Sequence, residues 1–255
     1  DGYCLYFDTE AAVNKSLLAS RGVDLDRTVV VNVVTVEEFR SKALKAVDLY
    51  QKKSEDERKP CMFVLDSLGM LSTEKEITDA LNDKQVRDMT KSQLIKGAFR
   101  MLTLKLGQAN IPMIVTNHTY DVIGAYVPTK EMGGGSGLKY AASTIIHLTK
   151  KKEKDGTAII GNLIKAKTAK SRLSKENQDV TVRLYYDERG LDRYYGLLEL
   201  GELGGLWKNV AGRYEIGGKK VYAKAILKDP ETYFTEEVME KLNTIAKQTY
   251  SYGTN

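Results

Sequence analysis

Cys61-Met-Phe-Val-Leu-Asp-Ser67 decides the fold. Five apolar residues run into a carboxylate and a hydroxyl, too short a stretch for a helix and too apolar for a surface loop. The run reads as a buried strand with a polar carboxyl end. The same form recurs at Cys4-Leu-Tyr-Phe7, followed by Asp8-Thr9-Glu10, and at 113–116, followed by Asn117-His118. Residues 29–34 and 144–148 are further buried strands on the same grounds. Amphipathic stretches separate them. Residues 11–21 read as a helix stopped by Gly22, and Thr35-Val-Glu-Glu38 has the form of a capping box opening a helix to about Tyr50. A third helix covers 91–106, with Thr90 as N-cap and Gly107 just past its end. Strand and helix in alternation predict a mostly parallel sheet with helices on both faces. From Ala158 the texture changes, and 159–170 and 180–186 read as antiparallel strands extending that sheet. A hairpin at 213–222 with a Gly-Gly turn and a helix at 235–247 form a small α+β module, placed at 206–255.

With 255 residues and 42% hydrophobic content, the chain can bury a full core. A net charge of +5 permits a nucleic-acid partner without demanding one. Two cysteines, Cys4 and Cys61, are too few for a disulfide framework or a zinc site and read as small buried hydrophobes. No apolar run reaches membrane-spanning length and no signal peptide is evident, so the expectation is a soluble, cytoplasmic protein.

Ligands of open parallel sheets bind at the carboxyl ends of the strands. A single acid there is commonly a helix N-cap; three polar endings in one sheet converge on one crevice. Asp66 after a hydrophobic strand has the form of the Walker B acid, which holds hydrated Mg²⁺ beside nucleotide phosphates. Glu10 can polarise an attacking water. His118 is either a surface cap or a group that senses a γ-phosphate, and His147 reads as structural. Lys96 and Arg100, four apart on a helix with Lys91 and Lys105 nearby, form a basic stripe or an ordinary solvated face. Lys165 and Lys167 share one face of a strand, and Lys170 and Arg172 another, where cations can stabilise charge developing in phosphoryl transfer. Glu131-Met-Gly-Gly-Gly-Ser-Gly-Leu-Lys-Tyr140 carries four glycines in five positions, costly to order. It is a linker or, lying inside one domain, a loop that orders around an extended polyanion.

Tyr6-Phe-Asp-Thr-Glu10, Phe63-Val-Leu-Asp-Ser67, Thr116-Asn-His118, the stretch Gly133-Gly-Gly-Ser-Gly-Leu-Lys-Tyr-Ala-Ala-Ser143, and Lys170-Ser-Arg172 together resemble RecA-type recombinases. Asn117-His-Thr-Tyr120, Asp66-Ser-Leu-Gly69 and Asp79-Ala-Leu-Asn82 bring the resemblance nearest to the UvsX recombinases of T4-like bacteriophages. It runs from Asp1 to about Gly204 and is weaker beyond, where Asp229-Pro-Glu-Thr232 still looks like the family's C-terminal domain. The resemblance implies a RecA-like P-loop NTPase core over 1–205 and the small domain after it. It implies ATP and Mg²⁺ as cofactors, filaments on single-stranded DNA, and homologous pairing and strand exchange with double-stranded DNA. Phage single-strand-binding and mediator proteins are further partners that it suggests, inside a bacterial host cell. Glu10 then matches the catalytic glutamate, Asp66 the Mg²⁺-associated acid with Ser67 beside it, and His118 the γ-phosphate sensor. Lys139, Lys170 and Arg172 match cations reaching a neighbouring protomer's ATP. Arg100, with Lys96 next to it, falls on a DNA-phosphate contact. Residues 72–88 and 120–137 match the two DNA-binding loops, the second containing Gly133, Gly134, Gly135, Ser136 and Gly137.

Two departures stand out. The family's Gly-x-x-x-x-Gly-Lys-Ser/Thr loop belongs on the unit before the strand at 3–7, and no such motif occurs in the chain. The expectation is therefore a fragment of a longer protein that does not hydrolyse ATP appreciably by itself. Leu17 stands where the family stacks a tyrosine on adenine, and Asn14 where it has an acidic contact, so base specificity is open. A hexameric helicase-like motor of the same fold, and a non-catalytic DNA-binding regulator, are the competing functions.

Overall fold

The computed structural model describes residues 2–84, 89–121, 130–216 and 218–253. The chain divides into two compact units, Asp1–Ala142 and Ser143–Asn255.

In the first unit β1 (Tyr3–Asp8), α1 (Lys15–Ser20), β2 (Thr28–Asn32), α2 (Val36–Gln51), β3 (Cys61–Asp66), α3 (Glu74–Leu81), α4 (Lys91–Gln108) and β4 (Met113–Val115) follow in order. A short hairpin, β5 (Thr119–Asp121) and β6 (Lys130–Met132), and α5 (Ser136–Ala141) complete it. The four long-range strands form a parallel sheet in the order β2-β1-β3-β4. Residues of alternate parity build its core: Phe7, Val33, Phe63 and Leu65 pack with Phe39, Ala43 and Val47 of α2 and with Ile95, Phe99 and Leu102 of α4. Phe7 meets Phe39 and Phe63 edge to face, at centroid separations of 5.1 and 5.8 Å.

Among the described residues the buried core lies on one face of that sheet. Both long helices lie on the Phe7–Phe63 face. On the other face Val30 is 37% and Ile114 52% exposed. Among the described residues the strands from 144 to 185 form an antiparallel ladder of their own.

Local chemistry moves several boundaries. The Asp8 carboxylate accepts from Glu10 N and Val13 N, Ala11 takes φ 51°, and the helix expected from residue 11 begins only at Lys15. Thr35 caps α2 as expected, accepting from Glu38 N, but the Glu38 carboxylate reaches past Thr35 to Val34 N. A reciprocal capping box does form at Thr73 and Glu76, starting α3. Helix α4 runs through Gly107, and Asn110 at φ 51° ends it.

The second unit holds a three-stranded antiparallel sheet of β7 (Thr144–Asp155), β8 (Ala158–Ser171) and β9 (Asp179–Tyr185). Ile146 and Leu148, expected to be buried, are 54% and 66% exposed. The sheet's ordered side centres on Arg183, which pairs with Glu153 and Asp192 and lies over Tyr195 at 4.4 Å. Further on come α6 (Leu197–Leu203), a sheet of β10 (Lys208–Val210), β11 (Arg213–Ile216) and β12 (Lys219–Tyr222), and the helices α7 (Ala223–Lys228), α8 (Pro230–Tyr233) and α9 (Glu236–Tyr250). Trp207, the sole tryptophan, centres this cluster with Leu198, Tyr214, Ile226, Phe234 and Leu242, and its indole N–H donates to Leu198 O at 2.7 Å. The packing reaches back through α6 to Tyr194, ahead of the boundary expected at 206.

Candidate nucleotide and nucleic-acid site

Parallel pairing sets Asp8 directly opposite Asp66 and Leu65 opposite Val115, so the polar endings of β1, β3 and β4 emerge side by side. The sequence brings them there because each apolar run stops at the same level of the sheet. Backbone bonds lock the ends: Thr9 N donates to Asp66 O at 2.9 Å and Leu68 N to Thr116 O at 3.0 Å. The Thr9 side chain doubles the first clamp, its Oγ1 donating to Ser67 O and accepting from Ser67 N, at 2.9 and 2.8 Å. The Asp66–Ser67 peptide bond is cis.

On this frame the expected residues meet. Ser67 is buried, and its hydroxyl donates to Glu10 Oε1 at 2.9 Å, while Glu10 is otherwise exposed. Asp66, half-buried, accepts from Tyr6 Oη on Oδ2 and from Thr116 Oγ1 on Oδ1, both at 2.5 Å. Burial, then the bond to Asp66, pushes the Tyr6 phenol far above its ordinary range. His118 is exposed and stands against Gly69, where an added Cβ would lie 3.1 Å from His118 Cδ2. Between them Asn117 donates from Nδ2 to Gly133 O at 2.8 Å and accepts from His118 N at 2.9 Å. Glu10, Ser67, Asp66, Thr116, Asn117, His118 and Gly133 thus form one connected rim.

The glycine run is packed rather than open. Gly134 and Gly135 take φ 90° and 73°, in the left-handed region that glycine enters without strain. A Cβ at Gly134 would meet Leu68 Cδ2 at 3.3 Å, and one at Gly137 would meet Lys96 Cγ at 2.5 Å. Gly137 belongs to α5, whose Leu138 is buried in the core, and Lys139 falls in the last turn of that helix rather than at its start. Ser136 opens α5. Lys96 and Arg100 lie exposed on α4 and line a cavity of about 680 Å³ with Leu104, Gly137 and Tyr140.

Other expected residues lie on other elements. Asn14 caps α1, its Oδ1 accepting from Leu17 N at 2.8 Å, and Leu17 is 43% exposed. Lys170 lies on β8 opposite Ile145, and Arg172 N donates to Ser143 O at 3.0 Å; both belong to the second unit. Lys165, on β8, pairs with Asp179 at 2.9 Å. Of the first DNA-loop stretch, 74–81 is the helix α3, and 85–88 lies outside the described residues, as does 122–129 of the second. Sequence reasoning placed Thr9, Thr116 and Asn117 among the polar strand endings without giving them a role, and it missed Tyr6 as a partner of Asp66. Strand alternation was the available signal for Tyr6, two residues from Asp8 on one face.

The donors fit a hydrated Mg²⁺ beside a nucleotide. Among the described residues no cluster of three His, Cys, Asp or Glu side chains makes a protein-only cage. Mg²⁺ is commonly held through one or two carboxylates, waters and substrate phosphates. Asp66 offers such a carboxylate with lone pairs left over, and Glu10 a second acid nearby.

Residues 1–192 match the RecA N-terminal domain family. The chain is 36% identical over 215 residues to the recombination and repair protein of Enterobacteria phage T4, covering 84% of this chain and 53% of that protein. It is 27% identical over 222 residues to protein RecA of Cereibacter sphaeroides, covering 86% of this chain and 62% of that one. Against protein RecA of a Nocardioides species it is 26% identical over 251 residues. The chain thus spans little more than half the length of the first of these relatives. With its family domain matched over most of its length, the chain belongs to the RecA family.

Proposed function

We propose that this chain forms the catalytic rim and DNA-facing surface of an ATP-dependent homologous-recombination protein. In this reading the protein assembles filaments on single-stranded DNA and catalyses pairing and strand exchange with a homologous duplex. The observation that carries it is the junction of Glu10, Ser67 and Asp66 at adjacent strand ends. Glu10 polarises the attacking water, taking up its proton at the carboxylate, while the Ser67 hydroxyl holds that carboxylate in place. Asp66 would hold a hydrated Mg²⁺ through its carboxylate, and the ion would supply positive charge beside the nucleotide phosphates. His118 reads the γ-phosphate. Its backbone and Asn117 are hydrogen-bonded to Gly133, so a displacement of the histidine is carried directly into the glycine segment.

That segment and the α4 cations contact the DNA backbone. Gly133–Gly137 amides, with Lys96 and Arg100, neutralise and position phosphates, contacts that carry no sequence information and so suit a homology search. Lys139, Lys170 and Arg172 serve a neighbouring protomer's nucleotide, where positive charge stabilises the transferring phosphoryl group.

The deciding experiment is Glu10→Gln in the longest polypeptide the gene encodes. ATP hydrolysis falls by about two orders of magnitude or more, as loss of an acid–base group implies. ATP-dependent filaments on single-stranded DNA still form and are visible by electron microscopy. An unchanged hydrolysis rate, or closed hexameric rings in place of filaments, sinks the proposal.

A further inference from the structure

Asp66 is gripped from both sides by uncharged donors. Alternation along β1 places Cys4, Tyr6 and Asp8 on the sheet face away from the Phe7–Phe63 core, and Val64 and Asp66 share that face on β3. Tyr6 lies opposite Val64, so its ring runs diagonally forward and its Oη reaches Asp66 Oδ2 at 2.5 Å. From the other flank, just past β4, Thr116 Oγ1 donates to Asp66 Oδ1 at 2.5 Å; its second contact, to Leu65 O, is 3.5 Å and much weaker. Hydroxyl donors on both oxygens fix the plane and direction of the carboxylate.

We propose that Tyr6 and Thr116 are positioning residues that fix the Asp66 carboxylate for its contact with hydrated Mg²⁺. This rests on the reading of Asp66 given above. A carboxylate has about four lone-pair sites, and the two hydroxyls use one on each oxygen, leaving acceptor capacity on both. The neutrality of the donors matters. A lysine or arginine in either place would orient the carboxylate equally well but would repel the cation. Hydroxyls supply direction without competing charge. Outer partners of this sort act through the group they hold, and removing one commonly weakens metal affinity by roughly 10- to 100-fold.

The test uses the longest polypeptide the gene encodes and measures binding of a fluorescent ATP analogue as Mg²⁺ is titrated. Tyr6→Phe and Thr116→Val each raise the half-saturating Mg²⁺ concentration by roughly tenfold, while affinity for the nucleotide without Mg²⁺ is unchanged. Thr116→Ser, which keeps a hydroxyl, returns the midpoint toward that of the parent. Asp66→Asn is the reference. If it shifts the Mg²⁺ midpoint while folded Tyr6→Phe and Thr116→Val stay within about twofold of the parent, the clamp is wrong and the Asp66 assignment survives. If Asp66→Asn itself leaves the midpoint in place, the assignment of Asp66 fails and the clamp with it. Should Tyr6→Phe not fold, the Thr116 pair decides alone.

Discussion

The Ser67 hydroxyl donates to Glu10 Oε1 at 2.9 Å, linking the residue after β3 to the residue two past β1. Ser67 is itself buried and held by Thr9 through a paired exchange, so the bond is anchored on its donor side and free to adjust on the exposed Glu10 side. Ser67→Ala should therefore lower the ATPase rate by loosening Glu10, with a smaller loss than Glu10→Gln and little change in KM for ATP. Steady-state kinetics of the two variants side by side checks this. A rate equal to the parent's would show that the hydroxyl does not orient the acid.

Gly137 and Gly97 make a matched pair on two helices in contact. An added methyl at Gly137 meets Lys96 Cγ at 2.5 Å and Cβ at 2.7 Å, whereas one at Gly97 meets nothing within 4 Å. Overpacking of this kind costs about 1–3 kcal/mol, so Gly137→Ala should lower the urea midpoint. Gly97→Ala, inside α4, should raise stability by about 1 kcal/mol through helix propensity. Equal effects of the two would mean that α5 does not pack on α4 as described.

Arg100 sits exposed on α4 one turn beyond Lys96, beside Gly137. Arg100→Ala should weaken single-stranded DNA binding alike for all sequences and flatten the plot of log affinity against log salt by about 0.7, one phosphate's worth. Fluorescence anisotropy across a salt series measures both. A loss confined to particular sequences would remove Arg100 from the phosphate-contacting set.

Glu38 reports on acid stability. Its bond to Lys42, and then that to Val34 N–H, hold its carboxyl below the usual range. A depressed folded-state value means that this contribution is fully present above the unfolded carboxylate pKa of about 4.3 and is lost as pH falls through the folded one. Glu38→Gln should therefore lower the urea midpoint at neutral pH, with the difference from the parent shrinking below about pH 4. A gap independent of pH would point to packing rather than charge.

What could be read in the residues, and what could not, separates along physical lines. Apolar runs of strand length ending in Asp8, Asp66 and Asn117 followed from sequence alone, because burial demands apolar side chains and the last residue of each run marks where the chain leaves the sheet. The capped start of α2, the existence of α9, the turn at Gly218 and the membership of Glu10, Ser67, Asp66 and His118 in one rim were legible as well. Periodicity carries no information on which side of a sheet a helix lies, so the face on which α2 and α4 pack could not be foreseen. Nor could the use of the glycines. Their freedom was plain, but the close approach of Gly137 to Lys96 exists only once α5 is laid on α4. The hydroxyl clamp on Asp66 depends on parallel register, which brings Tyr6 and Thr116, 110 positions apart, to the same carboxylate. Local chemistry thus set the elements and their polar ends, and long-range pairing alone decided which of those ends touch.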